Sequence, residues 1–380
     1  LDLTWTPEEE AFRAEARVWL EANVPRPALP SGDTADGFKL HLVWEKKLFD
    51  ARWAVVSWPK EYGGRGASLM EWLIFEEEYY RAGGPQRVTQ NGIFLLAPTV
   101  FEFGTQAQKD RILPRMAEGL DLWCQGWSEP NAGSDLAGIR SKAVRDETRS
   151  GWRLTGQKTW TTRGAFCNWM FGLFRTDPTA ERHKGMTYFL VPLDAEGVTV
   201  RGFGRLDGDE GFAEVFLEDA FVSDENILGG VNKGWEVAMA TTGSERGLTM
   251  RSPGRFVATS DKLIELYRKC GAAADTGTRD HVVQAWMDAE AYRLSTYSTV
   301  ARLEKGESIG PVSSAIKVFW SELDVRLHET ALGLLGTEAE TDRSGWMRGY
   351  QFALAGPIYA GTNEIQRNVV AERLLGLPRK

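Results

Sequence analysis

A double change of texture along the chain constrains the fold more than any single motif. Up to about residue 119 apolar residues recur at helical spacing; from about Leu120 to Gly230 they crowd into short segments rich in Val, Thr, Phe, Tyr and Trp; after Gly234 the helical period returns almost to the end. A period near 3.6 and a period of 2 cannot share one regular element, so the chain must be assembled from unlike parts. The reading is an α+β protein, mostly α. A helical domain over residues 1–119 precedes a central, mostly antiparallel β-barrel or sandwich over 120–231, and a four-helix bundle occupies 232–380.

Local signals fill in this outline. Thr6-Pro7-Glu8-Glu9 reads as a capping box with Pro at the first helical position, and Phe12, Ala16, Trp19 and Leu20 then share a face. Further helices are expected near residues 36–52, 68–82 and 105–118, with Trp58 to Gly64 as a loop between them. Trp152 to Thr162, Met186 to Leu193 and Phe212 to Phe221 read as strands, separated by the turns Asp146 to Gly151 and Asp207 to Gly211. In the last part Ile316, Phe319, Trp320, Leu323 and Leu327 form one apolar stripe, and Val283, Met287, Leu294 and Tyr297 a second.

Composition removes several functions. With 42% hydrophobic residues the chain can bury a large core, and a net charge of −8 argues against a nucleic-acid partner that needs a basic face. Cys124, Cys167 and Cys270 show neither metal-ligand spacing nor a disulfide framework, and His41, His183, His281 and His328 lack ligand-like companions, so no metal is expected. The first residues are acidic and helix-forming rather than a basic, apolar leader, and no apolar run reaches the ~18 residues of a membrane span. A cytoplasmic location is the expectation.

Trp123 to Gly164 is the stretch with most chemistry in it. Two β-like arms rich in Trp and Thr flank a loop carrying Asn131, Gly133 and Ser134, where backbone N–H groups and small hydroxyls can approach a flat, polar-edged ligand. Taken alone, the segment reads rather as an ordinary hairpin corner.

Ser128-Glu-Pro-Asn-Ala-Gly-Ser-Asp135, followed by Gly156-Gln-Lys-Thr-Trp-Thr-Thr162, resembles the flavin-contacting signature of the acyl-CoA dehydrogenase family. The resemblance continues through Trp58-Pro-Lys-Glu-Tyr-Gly-Gly64, Leu228-Gly-Gly, Gly234-Trp, Glu245-Arg246 and Ile358-Tyr-Ala-Gly-Thr-Asn-Glu-Ile-Gln-Arg367, and so covers nearly the whole chain. It implies bound FAD. By resemblance Gln125, Trp127 and Ser128 border the isoalloxazine, with Trp160 and Thr162 on its other side. Gly133 and Ser134 lie near the pyrophosphate or the pantetheine arm, and Thr362 and Glu364 reach the ribityl or adenine side.

The family's chemistry needs a base at the substrate α-carbon and donors on the thioester oxygen as enolate character develops. Most relatives carry the base in a Tyr-Glu-Gly-Thr motif, which here is Tyr359-Ala360-Gly361-Thr362. Alanine cannot take a proton, although the Ala360 backbone N–H can still serve the thioester oxygen. A variation within the family places the glutamate at the start of the first bundle helix, before an arginine. Thr242-Gly-Ser-Glu-Arg-Gly247 has that arrangement, which implies Glu245 as base and Arg246 as a CoA contact. Two departures bear on cofactor binding: Tyr267 to Gly277 lacks the family's Arg-x-x-Phe-Gly, and Gly333-Leu-Leu-Gly336 lacks a glutamine common in relatives.

The resemblance therefore implies an FAD-dependent enzyme that converts an acyl-CoA, branched or bulky, to a trans-2-enoyl-CoA and passes electrons to an electron-transfer flavoprotein. Assembly is expected as a homotetramer, or as a heterotetramer with a homologous chain. Two alternatives stand beside it: a non-catalytic or site-completing subunit of such a heterotetramer, and a flavin-dependent oxidase or desaturase of carrier-bound acyl groups.

Overall fold

The computed structural model describes residues 4–246, 252–270, 276–341 and 345–378, with the side chains of 244–246 left out. The chain forms two compact units that cut across its order. One comprises residues 27–66 and 85–245, the other 1–26, 67–84 and 246–380.

The first unit holds the β-sheet with helices α2 (Ala35–Asp50), α4 (Ala97–Phe103), α5 (Gln106–Glu118) and α6 (Gly234–Arg246). Its strands are β1 (Trp123–Gly126), β2 (Lys142–Asp146), β3 (Gly151–Thr162), β4 (Trp169–Arg175), β5 (Met186–Pro192), β6 (Val198–Phe203), β7 (Phe212–Ser223) and β8 (Ile227–Leu228). They form one eight-stranded sheet in the order β6-β7-β3-β2-β4-β5-β8, with β1 added beside β4. Most pairs are antiparallel, but β1 and β2 both run parallel to β4. The two Trp- and Thr-rich arms are thus no hairpin: β1 pairs with β4, whereas β3 pairs with β2 and β7. Leu154, Met170, Phe174, Phe189, Val191, Val215 and Leu217 alternate inward and fill the core beneath the sheet.

Two π-helical stretches escaped the pattern reading. Asn91–Leu96 runs directly into α4, and Val370–Leu374 follows the last α-helix. Such wide turns recur at functional sites, and Asn91–Leu96 packs against β1.

In the second unit α1 (Pro7–Asn23) and α3 (Leu69–Arg81) join α7 (Pro253–Lys269), α8 (Thr276–Glu304), α9 (Val312–Leu335), α10 (Trp346–Ala353) and α11 (Asn363–Val369). The capping box at Thr6 and Glu9 forms as the sequence requires. On α9 the expected stripe is largely right, with Trp320, Leu323 and Leu327 fully buried. On α8 it is displaced. Val283, Met287 and Leu294 are exposed, and only Tyr297 of that set is buried. The core side is Val282, Ala285, Ala289, Tyr292 and Val300, because small alanines let α8 approach its neighbours closely and leave the larger apolar side chains outside. No helix among the described residues is long and apolar enough to cross a membrane.

Candidate functional site

The site is built first on β1. Trp123 and Gln125 of β1 and Trp127 just beyond it fall on alternate positions, and among the described residues the Trp123 Nε1, Gln125 Nε2 and Trp127 Nε1 donors are buried with no hydrogen-bond partner. Buried donors are ordinarily paired, so three on one face call for acceptors from a bound group.

The loop after β1 is tied down through its acid. Glu129 accepts from the Arg140 N–H (2.6 Å), the Ser141 N–H (3.0 Å) and Lys158 Nζ (2.8 Å). Lys158 is wholly buried, and it also donates to the Leu173 carbonyl at 2.8 Å. Burial would push the Glu129 carboxyl up, but Lys158 and the backbone donors outweigh it and hold it below the ordinary range. Burial pulls the Lys158 ammonium down, against the opposing pull of Glu129. The signature Glu and Lys thus join the two motif halves, aided by the Thr159 N–H on the Ser128 carbonyl at 2.9 Å. Gly133 and Ser134 remain exposed, and a Cβ at Gly133 would meet nothing within 4 Å.

At the end of β3 the chain bends sharply. Trp160 has φ of 59° and is 60% exposed, its ring meeting Phe203 and Phe212 edge-on at 5.3 and 5.5 Å. Two rings beneath an open indole make a platform for a flat ligand. Thr162 is half-buried, and its carbonyl accepts from Asn91 Nδ2 at 3.4 Å.

In the other unit Ala360 and Gly361 both take positive φ, 57° and 77°. Among the described residues no carbonyl accepts the Ala360 N–H. Thr362 caps α11 by accepting the Ile365 N–H at 3.3 Å, and Glu364 is exposed in the first turn, its carboxyl lowered by a backbone N–H and the Thr362 hydroxyl. Beneath them buried Lys317 and Ser321 donate to Asn363 Oδ1 at 2.8 and 3.1 Å, while Gln366 Nε2 holds the Ala360 carbonyl at 2.8 Å.

Glu245 and Arg246 stand in the last described turn of α6, a helix that begins at Gly234. Glu245 therefore stands near the end of the described part of α6 and not at its start. Both side chains, Gly247, and residues 271–275 of the departing segment lie outside what the structure describes. Gln125, Trp127, Ser128, Gly133, Ser134, Trp160 and Thr162 belong to the sheet unit, whereas Ala360, Thr362 and Glu364 belong to the helical unit. Among the described residues no group of three or more His, Cys, Asp or Glu is placed to hold a metal ion.

A face of buried donors with no partner among the described residues, together with a supported indole, defines a cradle for a planar heterocycle with polar edges. Residues 6–120, 124–220 and 232–375 match the N-terminal, middle and C-terminal domains of acyl-CoA dehydrogenases, and the chain belongs to that family. Acyl-CoA dehydrogenase IpdE1 of Mycolicibacterium smegmatis is 39% identical across 98% of this chain and 99% of its own. Among solved structures, the Tcur3481-Tcur3483 steroid ACAD is 27% identical with a TM-score of 0.89, covering all of both chains. The ChsE4-ChsE5 complex from Mycobacterium tuberculosis is 28% identical with a TM-score of 0.83, again over both full lengths. The family's enzymes are FAD-dependent flavoproteins, and the orphaned donors on β1 and the Trp160 platform fit that cofactor.

Sequence reasoning missed the residues that hold this cradle. Lys158 stood in a quoted motif, and a lysine flanked by the Thr- and Trp-rich half of a strand was the available signal for a buried ion pair.

Proposed function

We propose that this chain carries out FAD-dependent α,β-dehydrogenation of a branched or ring-bearing acyl-CoA to the trans-2-enoyl-CoA, with Glu245 as base. Ala360 carries the reading. It puts a methyl where the commoner carboxylate would stand, on a bent backbone whose N–H meets no acceptor among the described residues. That N–H donates to the thioester oxygen, the small side chain leaves volume beside the α-carbon, and the proton goes to a carboxylate supplied from elsewhere. Glu245 takes it, and Arg246 contacts CoA. FAD held by the β1 donors and the Trp160 platform would supply the hydride acceptor for the β-carbon, and an electron-transfer flavoprotein would receive the electrons. Relatives described as a steroid ACAD and as a complex of two differently named chains support the bulky substrate and a heterotetramer with a homologous chain.

The test is anaerobic bleaching of the flavin by straight, branched and ring-bearing acyl-CoAs. Glu245→Gln should keep FAD and slow bleaching by roughly 10²–10⁴-fold, the usual contribution of a positioned base. Undiminished bleaching by that variant would remove Glu245 from the role. Ala360 also favours a second reading, in which this chain completes a site whose base lies on its homologous partner. Bleaching that requires the co-purified partner and ignores Glu245→Gln would select it.

A further inference from the structure

We propose that Arg163, clamped by Asp33, is a positioning residue for the flavin, setting the backbone of Trp160–Thr162. The inference rests on the reading that Trp160 and Thr162 border the cofactor.

Trp160 and Arg163 are non-glycine residues in the left-handed region, at φ of 59° and 57°, only three positions apart. The register of β3 against β7 shifts between Lys158 and Thr161, across Trp160, and the ladder ends at Thr162, so neither bent residue is itself a ladder pair. Conformations of this kind persist only where the surroundings over-determine them.

At Arg163 the surroundings do so. The side chain is 2% exposed, and Nε donates to Asp33 Oδ1 at 2.6 Å. Arg205 Nη1 meets the other Asp33 oxygen at 2.7 Å, and Arg205 in turn meets Asp207 at 2.8 Å. The Arg163 backbone N–H donates to the Gly211 carbonyl at 2.9 Å, and Nη1 reaches the Arg87 carbonyl at 3.5 Å. Burial would raise the Asp33 carboxyl, but the charges of Arg163 and Arg205 outweigh it and hold it ionised.

Asp33 is itself fixed on a strap. His41 has one ring nitrogen 2.9 Å from the Pro30 carbonyl and the other 2.8 Å from that of Gln86, and Ser31 donates to Asp209. The clamp therefore joins a strap 130 residues away in sequence to the residue that follows Thr162. Its force falls on the corner. Trp160 is exposed and lacks a comparable ionic tether, so its plane depends on the backbone that Arg163 holds.

The experiment compares wild type, Asp33→Asn, Arg163→Lys, Arg205→Gln and Trp160→Phe in the flavin-loaded protein, with its homologous partner chain where loading requires one. Melting temperature, FAD dissociation constant, visible circular dichroism of the flavin, kcat and KM are measured. Asp33→Asn keeps shape but removes the clamp's charge; it should alter the flavin dichroism, weaken FAD and lower kcat by roughly a hundred-fold with little change in KM, as expected for a misplacement of about 1 Å. Arg163→Lys should keep the fold and recover only part of this. Arg205→Gln leaves the inner pair intact and should shift the same readouts less, which keeps the test open if Asp33→Asn does not fold. Lower melting with unchanged dichroism and FAD affinity in these variants would overturn the proposal. If Trp160→Phe also leaves the dichroism of wild-type-bound flavin unchanged, the underlying site reading fails instead.

Discussion

The bend at Trp160–Arg163 and the bend at Tyr359–Thr362 solve one problem differently. The first puts two non-glycine residues at positive φ and the second one, Ala360, and each has a wholly buried lysine close by in its strand or hydrogen-bond network, Lys158 on β3 and Lys317 on Asn363. In the first, the bent residues carry large side chains with evident tasks: Trp160 presents a ring and Arg163 an ion pair. In the second, Ala360 carries a methyl. Strain that serves a side chain explains itself; at Ala360 the bent residue carries only a methyl, so the strain serves the path of the backbone.

The sharpest way to break this comparison is at the ionic anchor of the first bend. Lys158→Met leaves Glu129 buried without its ammonium partner, and removing one member of a buried pair costs about 3–5 kcal/mol. Denaturant unfolding should show that loss, and adding Glu129→Gln should recover part of it. A cost below about 1 kcal/mol, the scale of an exposed pair, would mean that the two motif halves are held by packing and not by charge.

Acid sharpens the same contrast with a smaller effect. The Glu129 and Asp33 carboxyls both lie below their ordinary values in the folded protein. Their contribution is complete above the ordinary carboxylate range and is lost as pH falls through the folded values, because the unfolded chain then binds more protons. Lys158, lowered by burial, acts at the other end: its penalty persists at neutral pH and is relieved only as pH rises from its folded value toward the ordinary lysine value. Melting temperature should therefore fall from neutral pH toward about pH 3, and the slope should flatten in the Glu129→Gln/Lys158→Met protein. Equal slopes would dissociate Glu129 from acid sensitivity.

Much of this was legible before the structure. Helix, strand and helix followed from texture: β-branched and aromatic residues between polar turns marked the strands, and a 3.6-residue stripe on α9 reported burial directly. The α8 stripe misled for the same reason: a helix apolar on two sides has two stripes, and alanines, which read as neutral, marked the buried one. The cradle residues were named through the motif. Their anchors were not, since Asp33 with Arg163 and Lys317 with Asn363 are long-range pairs that no local pattern encodes.

The smallest expected effect is also the most direct test of the contrast. Ala360→Gly should relieve about 1–2 kcal/mol of left-handed strain, while the added freedom of glycine in the unfolded chain returns about 0.4–1 kcal/mol. A net gain of between about 0 and 1.6 kcal/mol follows from these two figures, read as an unchanged or raised melting temperature, with FAD content unchanged. The same change at Arg163 relieves similar strain but deletes the ion pair to buried Asp33, so Arg163→Gly should destabilise. Opposite signs at two residues of nearly equal φ would show that one bend is kept for its side chain and the other for its backbone. A loss of stability in Ala360→Gly would mean that the methyl makes a contact worth more than the strain, and the two bends would then differ only in degree.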